Sequence, residues 1–502
     1  MLLTERYQGE IRGQLSCFDR VIITGTLPDF CHAQVASRYL RMRNIKIFDF
    51  AQFAKRLRDG IRTNAEELAE AAGIEIEFLR NAKAVRKEDR VQEILAARGT
   101  APGLVHIFSA MEACTTYEPW HDKQTHKTFL RPDSGKCIHY YFYFIDPEFG
   151  LGYVRVPTWA PYRLQIYFNA HNWLAEQLRR RDIGFRLIDN VFIAVDDFDR
   201  AQELADGFNV QRLHRHLERL VNTFCPILSE FPAGYHWSLM QVEYATDIVF
   251  RQRADLAALY DGLVRTAVHA VKADNVATFL GRKLDPRYLG EVGNDFHTRI
   301  QGTRIKHHMG RVAIKMYDKL GQVLRIETVA NDVTFFKHHR WVEHRDGSAE
   351  LTLAPVRKSI YSLPVLNELM SAANRRYLEV LSSLDDWSDG VKHLDHVSRP
   401  VQEGTRNYRG FNPLYGQDRA LFETLARGEF NISGFHNRDL RRCLPELSGP
   451  QACRILKRLR THGLVKKIGR TYKYYLTRLG RRLIAAALSV REFVLVPALA
   501  PT

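Results

Sequence analysis

Val312-Ala-Ile-Lys-Met-Tyr-Asp-Lys-Leu-Gly-Gln-Val-Leu-Arg-Ile-Glu-Thr-Val329 reads as a β-hairpin. Val312 to Asp318 is one strand, Lys-Leu-Gly-Gln is the connection, and Val323 to Val329 is the return strand. The hairpin carries Lys315, Tyr317 and Asp318, then Arg325 and Glu327. Upstream, Met240–Phe250 alternates as a strand, and a period of two puts Gln241, Glu243 and Asp247 on one face. Helical patterns fill 253–281 between them. Strand, helices and hairpin in this order fit a ferredoxin-like or split βαβ palm. Acidic side chains on the inner face of such a sheet suit metal-dependent phosphoryl chemistry. The same charges also suit a salt-bridged structural face, where Lys/Glu and Arg/Asp pairs lie across strands.

Working outward toward the N-terminus, Phe18-Asp-Arg-Val-Ile-Ile-Thr-Gly-Thr-Leu27 reads as a buried strand ended by Gly25 and Pro28. A helical pattern over 51–98, broken near Gly73, and a strand from Gly103 follow. The polar stretch 115–135 reads as a loop. Beyond it comes an aromatic hairpin: Ile138–Ile145, the turn Asp146-Pro-Glu-Phe-Gly150, then Tyr153–Val156. Aromatics on both faces of those strands point to a sheet buried on both sides, with base stacking as the alternative. A helix over 169–181, a strand over Phe185–Val195 and helices over 197–228 complete this part.

Toward the C-terminus, 364–383 is helical and 384–413 reads as a linker. Residues 418–427 make a helix and Asn437-Arg-Asp-Leu-Arg-Arg442 a second. Ser448-Gly-Pro-Gln451 starts a third, with Ser448 as cap and Pro450 in the first turn. That helix stops at Gly463. Ala452, Ile455, Leu456 and Leu459 form its apolar stripe, and Arg454, Lys457, Arg458 and Arg460 point away from it. Leu464–Thr477 then reads as two strands around Gly469-Arg470, and a last helix begins near Arg478. The order of helix, helix, basic helix and basic hairpin resembles a winged-helix module of the MarR/ArsR kind over about 80 residues. The resemblance implies duplex DNA binding through Arg438, Gln451, Arg454, Lys457, Arg458 and Arg460, with Lys466, Lys467, Arg470, Tyr472 and Lys473 in the wing.

Charge supports that placement. The 502 residues hold 73 Lys/Arg and 57 Asp/Glu, a net +16. Residues 401–502 hold 19 and 7 of these, a net +12, so the first 400 residues supply only +4. Within 451–490 there are eleven basic residues and no acidic one, a composition suited to phosphate.

The run Gly302-Thr-Arg-Ile-Lys-His-His308, then Ile314-Lys-Met-Tyr-Asp-Lys319, then Leu324-Arg-Ile-Glu327 is similar to the core of rolling-circle replication initiators. The types meant are plasmid Rep_trans and filamentous-phage gene II. The resemblance implies single-strand nicking by a tyrosine, with acidic residues and a divalent metal. It brings Glu243, Asp247, Lys315, Tyr317, Asp318, Arg325 and Glu327 forward as catalytic candidates, with Lys315 or Arg325 on the phosphate. Tyr317 and Tyr361 are the tyrosines considered. The chain departs from many relaxases in lacking a His-hydrophobe-His motif; His214-Arg-His216 has the spacing but sits in a helical pattern.

Cys114, His121, His126, Cys137 and His139 crowd together without a knuckle spacing, so a wet loop and a strand histidine are expected there. Asp196–Asp199 suit a helix N-terminus rather than a cation site. His307-His308 and His338-His339 suit a basic surface patch. Seven cysteines without a CxxC pair, no secretion-type opening and no apolar run long enough for a bilayer imply a cytoplasmic chain with free thiols and no membrane partner.

The expected fold class is α/β (α+β) and multidomain: a mixed-sheet body over 1–115, 116–228 and 229–383, a linker, and a winged helix over 414–490. The expected function is that of a mobile-element or plasmid-type DNA-processing protein using Mg²⁺ or Mn²⁺. Its partners would be DNA, single-stranded DNA or RNA at the body, and a second copy in a homodimer. A non-enzymatic regulator and a structured-RNA-binding protein are the alternatives.

Overall fold

The central hairpin forms as its sequence prescribes. Strands Val312–Lys319 and Val323–Ala330 pair with Lys315 opposite Glu327 and Tyr317 opposite Arg325. Their turn uses left-handed backbone at Leu320 and Gly321 (φ 61° and 72°). Leucine is strained there, and its packing with Val191, Ile193, Val249 and Val323 holds it in place. The computed structural model describes residues 2–80, 86–271, 273–282, 291–299, 302–384, 387–427, 430, 434–491 and 499. It divides into two compact units, Met1–Asp385 and Asp386–Thr502.

In the first unit the strands are β1 (Ile11–Thr26), β2 (Ile76–Leu79), β3 (Gly103–Asp122), β4 (Lys127–Asp146), β5 (Gly150–Pro157) and β6 (Leu164–Phe168). After these come β7 (Phe185–Ile188), β8 (Val191–Val195), β9 (His236–Phe250), β10 (Val292–Arg299), β11 (Gly302–Met309), β12 (Val312–Lys319), β13 (Val323–Ala330) and a separate hairpin of β14 (Lys337–Glu343) and β15 (Ala349–Pro355). Eleven of them form one sheet in the order β10-β11-β12-β13-β9-β1-β6-β5-β4-β3-β2. Only the β2–β3 pairing is parallel among the described residues. The mixed α+β class is as expected, but the three regions of the body are not separate. β1 lies between β6 and β9, and β3 runs through the 115/116 boundary.

The polar stretch 115–135 is no loop. It forms the outer arms of the β3–β4 hairpin, tied down by Tyr117 Oη donating to Phe30 O and by Leu130 N donating to Ser37 Oγ. The strand over 185–195 is instead the short hairpin β7–β8. Gly25 is the penultimate residue of β1, where a Cβ would come within 2.7 Å of the Trp237 ring.

The two faces of the sheet differ. On one, Phe224 of the helix Val210–Phe224 stacks on Phe142 and Phe144. On the same face Asn374 of the helix Leu363–Leu384 donates to Tyr244 O, Thr246 Oγ1 and Ile326 O. On the other face, Val91 of the helix Lys87–Arg98 packs with Tyr141 and Tyr143, so the aromatic strands are buried on both sides. Further along, β8 and His171 of the helix Ala170–Arg179 lie over the region of Asp247 and Arg325. Between these covers lies the charged cluster, with Asp19, Glu243 and Glu327 buried and Arg20 exposed beside them.

The second unit is built around the helix Gly449–Thr461. Ser448 Oγ accepts from Gln451 N while Gln451 Oε1 accepts from Ser448 N, a reciprocal cap. Gly463 (φ 71°) ends it in the left-handed region that glycine tolerates. Ala452, Leu456 and Leu459 pack with Leu421 and Phe422 of the helix Gly416–Leu425 and Leu440 of the helix Asn437–Cys443. A hairpin, β18 (Val465–Lys467) and β19 (Tyr474–Leu476), and the helix Arg478–Val490 follow, with Phe435 bridging to Tyr474. The segment 384–413 is not a linker where described. It holds the helix Trp387–Ser398 and the hairpin β16 (Val401–Glu403) and β17 (Arg406–Tyr408). Val397 and Phe411 anchor it in the second core.

Candidate functional site

Asp19 reaches the cluster through an irregularity in β1. Phe18 pairs with Tyr244 and Arg20 with Glu243, so Asp19 is the extra residue of a bulge. A bulge re-aims side chains, and this one turns the Asp19 carboxylate toward Glu243 and Glu327. Asp19, Glu243 and Glu327 place carboxylate oxygens within 4.8 Å of one another. Lys315 Nζ lies 2.8 Å from Glu327 and 3.7 Å from Glu243. Tyr317 Oη donates to Glu327 Oε2 (2.6 Å), and Gln241 Nε2 donates to Glu243 Oε1 (2.6 Å).

Behind this group lies a closed ion pair. Arg325, with no exposed surface, grips Asp247 with two hydrogen bonds of 2.6 Å and donates a third to Asn190 O. Asp19 Oδ1 is 3.3 Å from both Arg325 and His171. Bidentate pairing of this kind fixes geometry strongly.

Burial and the adjacent Glu327 carboxylate push Glu243 up to about 8. Burial also works against Glu327, but the proton held on Glu243 and the Lys315 ammonium keep it below the usual range. The two therefore share one proton, as closely apposed carboxylates do. Burial would raise Asp19 too, yet Arg325 and His171 hold it well below the ordinary value. Burial and the Glu327 charge push the Tyr317 phenol well up.

Of the candidates from the sequence, the structure brings Glu243, Lys315, Tyr317 and Glu327 together. Asp247 and Arg325 adjoin them but are locked in each other, so Arg325 is placed to position Asp19 and Asp247 rather than to meet a phosphate. Asp318 pairs with Leu324 and faces the opposite side, where its backbone N–H donates to Tyr260 Oη. Tyr361 is exposed and hydrogen-bonded to His214 Nδ1 (2.7 Å) of the helix Val210–Phe224, away from the cluster. His216 instead stacks inward on Phe149, so the His-Arg-His pair cannot chelate. His121 meets Thr128, and His139 turns to Cys137 O. Asp197 caps its helix by accepting from Arg200 N. His307 is buried between Asn294 and Tyr377, not on a surface patch.

Sequence reasoning missed Asp19, His171 and Arg20. The one available signal was an Asp-Arg pair inside an apolar strand. Arg20 is exposed beside Glu243 and lies over the Tyr167 ring (5.6 Å), so it is the open cation of the cluster.

In the second unit Arg438, Gln451, Arg454, Lys466, Arg470 and Tyr472 are exposed. Lys467 and Lys473 lie over the rings of Tyr472 and Tyr475. Lys457 and Arg460 pair with Glu403. Arg458 departs from the expected DNA face. It is buried, bound to Asp418 at 2.9 and 3.0 Å, and donates to the carbonyls of Arg409 and Gly410. Arg458 is buried by what packs over its side of the helix: Asp418, the carbonyls of Arg409 and Gly410, and the Phe411 ring, 3.7 Å from the guanidinium.

No family model matches the chain, and no curated protein matches it. Among solved structures it is similar to a rolling circle replication initiator protein from Geobacillus stearothermophilus, at 10% identity, over 63% of this chain and 74% of that chain, with a TM-score of 0.18. A likeness at that TM-score carries no inference for this chain. Among the described residues no helix is long and apolar enough to cross a membrane.

Proposed function

We propose that the chain is a DNA-processing protein. In this reading its second unit binds duplex DNA as a winged helix, and its body cuts or transfers a phosphodiester with Mg²⁺ or Mn²⁺. The observation that carries the enzymatic half is the convergence of the buried Asp19, Glu243 and Glu327 from three neighbouring strands, with Arg20 exposed beside them. Three hard oxygen donors, one pair sharing a proton that a cation would replace, fit magnesium or manganese. Asp19, Glu243 and Glu327 would hold the ion, which supplies charge neutralisation at the phosphate. Arg20 and Lys315 would bind the phosphate oxygens. Glu327, accepting from Tyr317, would take the phenol proton as that oxygen attacks phosphorus; the bond to one ester oxygen of the strand breaks, and that oxygen leaves as a hydroxyl on taking a proton from water.

The DNA-binding half is supported by the exposed cations of the helix Gly449–Thr461 and of the β18–β19 hairpin, which suit groove and flanking phosphates. A non-enzymatic regulator is the second reading. It is favoured by Lys315 and Glu327 already satisfying each other at 2.8 Å.

The test is incubation of the full chain with labelled single- and double-stranded DNA in Mg²⁺, Mn²⁺ or EDTA. Metal-dependent cutting or covalent attachment is expected, lost on Glu327→Gln or Asp19→Asn with duplex binding kept. No cutting in any condition, with no Mn²⁺ bound, leaves the regulator. Stronger competition by single-stranded RNA than by duplex DNA would instead move the substrate to RNA.

A further inference from the structure

On the helix Gly449–Thr461, the buried stripe of Ala452, Leu456 and Leu459 defines the opposite, outward stripe. At 100° per residue that stripe is centred on Arg454, Lys457 and Thr461, with Arg460 on its flank. Its C-terminal half is not bare. Glu403 Oε1 takes a hydrogen bond from Lys457 Nζ, Oε2 takes one from Thr461 Oγ1, and Arg460 approaches Oε1 to 3.7 Å.

Glu403 is held there by its hairpin. β16 and β17 close through Gly404-Thr405, with Gly404 at φ 62°, a two-residue turn that seats Glu403 at the tip. Val397 before the hairpin and Phe411 after it are buried in the core. The carboxylate is thus delivered by a short anchored ribbon. One anion with two oxygens, meeting two cations and a hydroxyl, is the contact pattern a DNA phosphate would make.

We infer that Glu403 is a built-in competitor for the DNA backbone, occupying the outward cations of the helix Gly449–Thr461 until a phosphate displaces it. This rests on the reading of the second unit as a duplex-DNA binder. Displacement is easy because the pairs are solvent-exposed: the side chains of Lys457 and Glu403 are 34% and 43% accessible. Exposed pairs contribute little and weaken with salt. Arg454, further toward the N-terminal end and outside the reach of Glu403, remains open for first contact.

The experiment is fluorescence anisotropy of a labelled duplex with the full chain, over a salt series, comparing wild type with Glu403→Gln. The substitution should tighten binding about threefold to tenfold. It should also steepen the plot of log K against log salt by about one to two, as freed cations join the phosphate contacts. The gain should vanish in a Lys457→Gln/Arg460→Gln background. Unchanged thermal unfolding confirms that the fold is intact. Equal or weaker binding by Glu403→Gln would overturn the inference and make Glu403 a positioning group. Failure of both proteins to bind duplex in a salt-dependent way would overturn the DNA reading of the unit itself, a different and separable result.

Discussion

Arg325 in the first unit and Arg454 in the second are the same side chain put to opposite uses. Arg325 has no exposed surface and spends its donors on Asp247, Asn190 and the vicinity of Asp19. Arg454 faces solvent on a helix whose other face is core. The contrast extends to whole units. The body, at only +5 over residues 1–385, concentrates its chemistry in a few charges desolvated against one another. The second unit, at +11 over residues 386–502, spreads most of its charges over a surface. A buried charge orders a cluster and a surface charge attracts a polyanion, so net charge points to the proposed binding unit but says little about the proposed catalytic one. Arg458 shows that the division follows burial and not position in the chain: it sits one residue from Lys457 yet behaves like Arg325.

The sharpest way to break this contrast is Arg325→Ala. It strands Asp247 and Asp19 without their cation, and loss of about 3–5 kcal/mol of stability is expected in urea denaturation. Arg454→Ala should move the same measurement by less than about 0.5 kcal/mol. Equal effects would end the distinction. Next comes Arg458→Ala, expected to destabilise the second unit by about 3 kcal/mol through the exposed need of buried Asp418 for its partner. If Arg458 were instead a phosphate contact, it would weaken duplex binding with unfolding unchanged.

Glu243 sharpens the contrast through pH. Its folded-state value near 8 lies above the ordinary 4.5, so the folded body holds an extra proton between those values. Stability is therefore fullest at the low end of that window and falls as pH rises through it. A bound cation must displace that proton, so Mn²⁺ affinity should rise with pH from 6 to 8, by up to about tenfold per unit. Glu243→Gln should flatten both profiles; a pH-independent Mn²⁺ isotherm in the wild type would count against the shared proton. The smallest effects belong to the surface. Arg454→Ala and Arg470→Ala should each weaken duplex binding by about 1 kcal/mol and lower the salt slope by about one.

Much of the fold was readable locally. The 312–329 hairpin, the Ser448 cap, the Gly463 stop and the aromatic strands are set by residues within a few positions of one another. Part of the site was readable too. Glu243, Lys315, Tyr317 and Glu327 declare themselves by period and cross-strand spacing. Asp318 did not follow, because alternation within β12 sends it to the other face from Lys315 and Tyr317.

What local pattern could not supply is which strands meet. β1 and β9 are separated by more than 200 residues, and only their pairing, with its slip at Asp19, brings that carboxylate to Glu243. Nor could pattern separate Arg325 and Arg458 from the exposed arginines around them. Turns, caps and periods are short-range and written in neighbouring residues. Burial and the meeting of distant charges are properties of the packed chain, and in this protein they decide which cations hold the structure and which remain open to a phosphate.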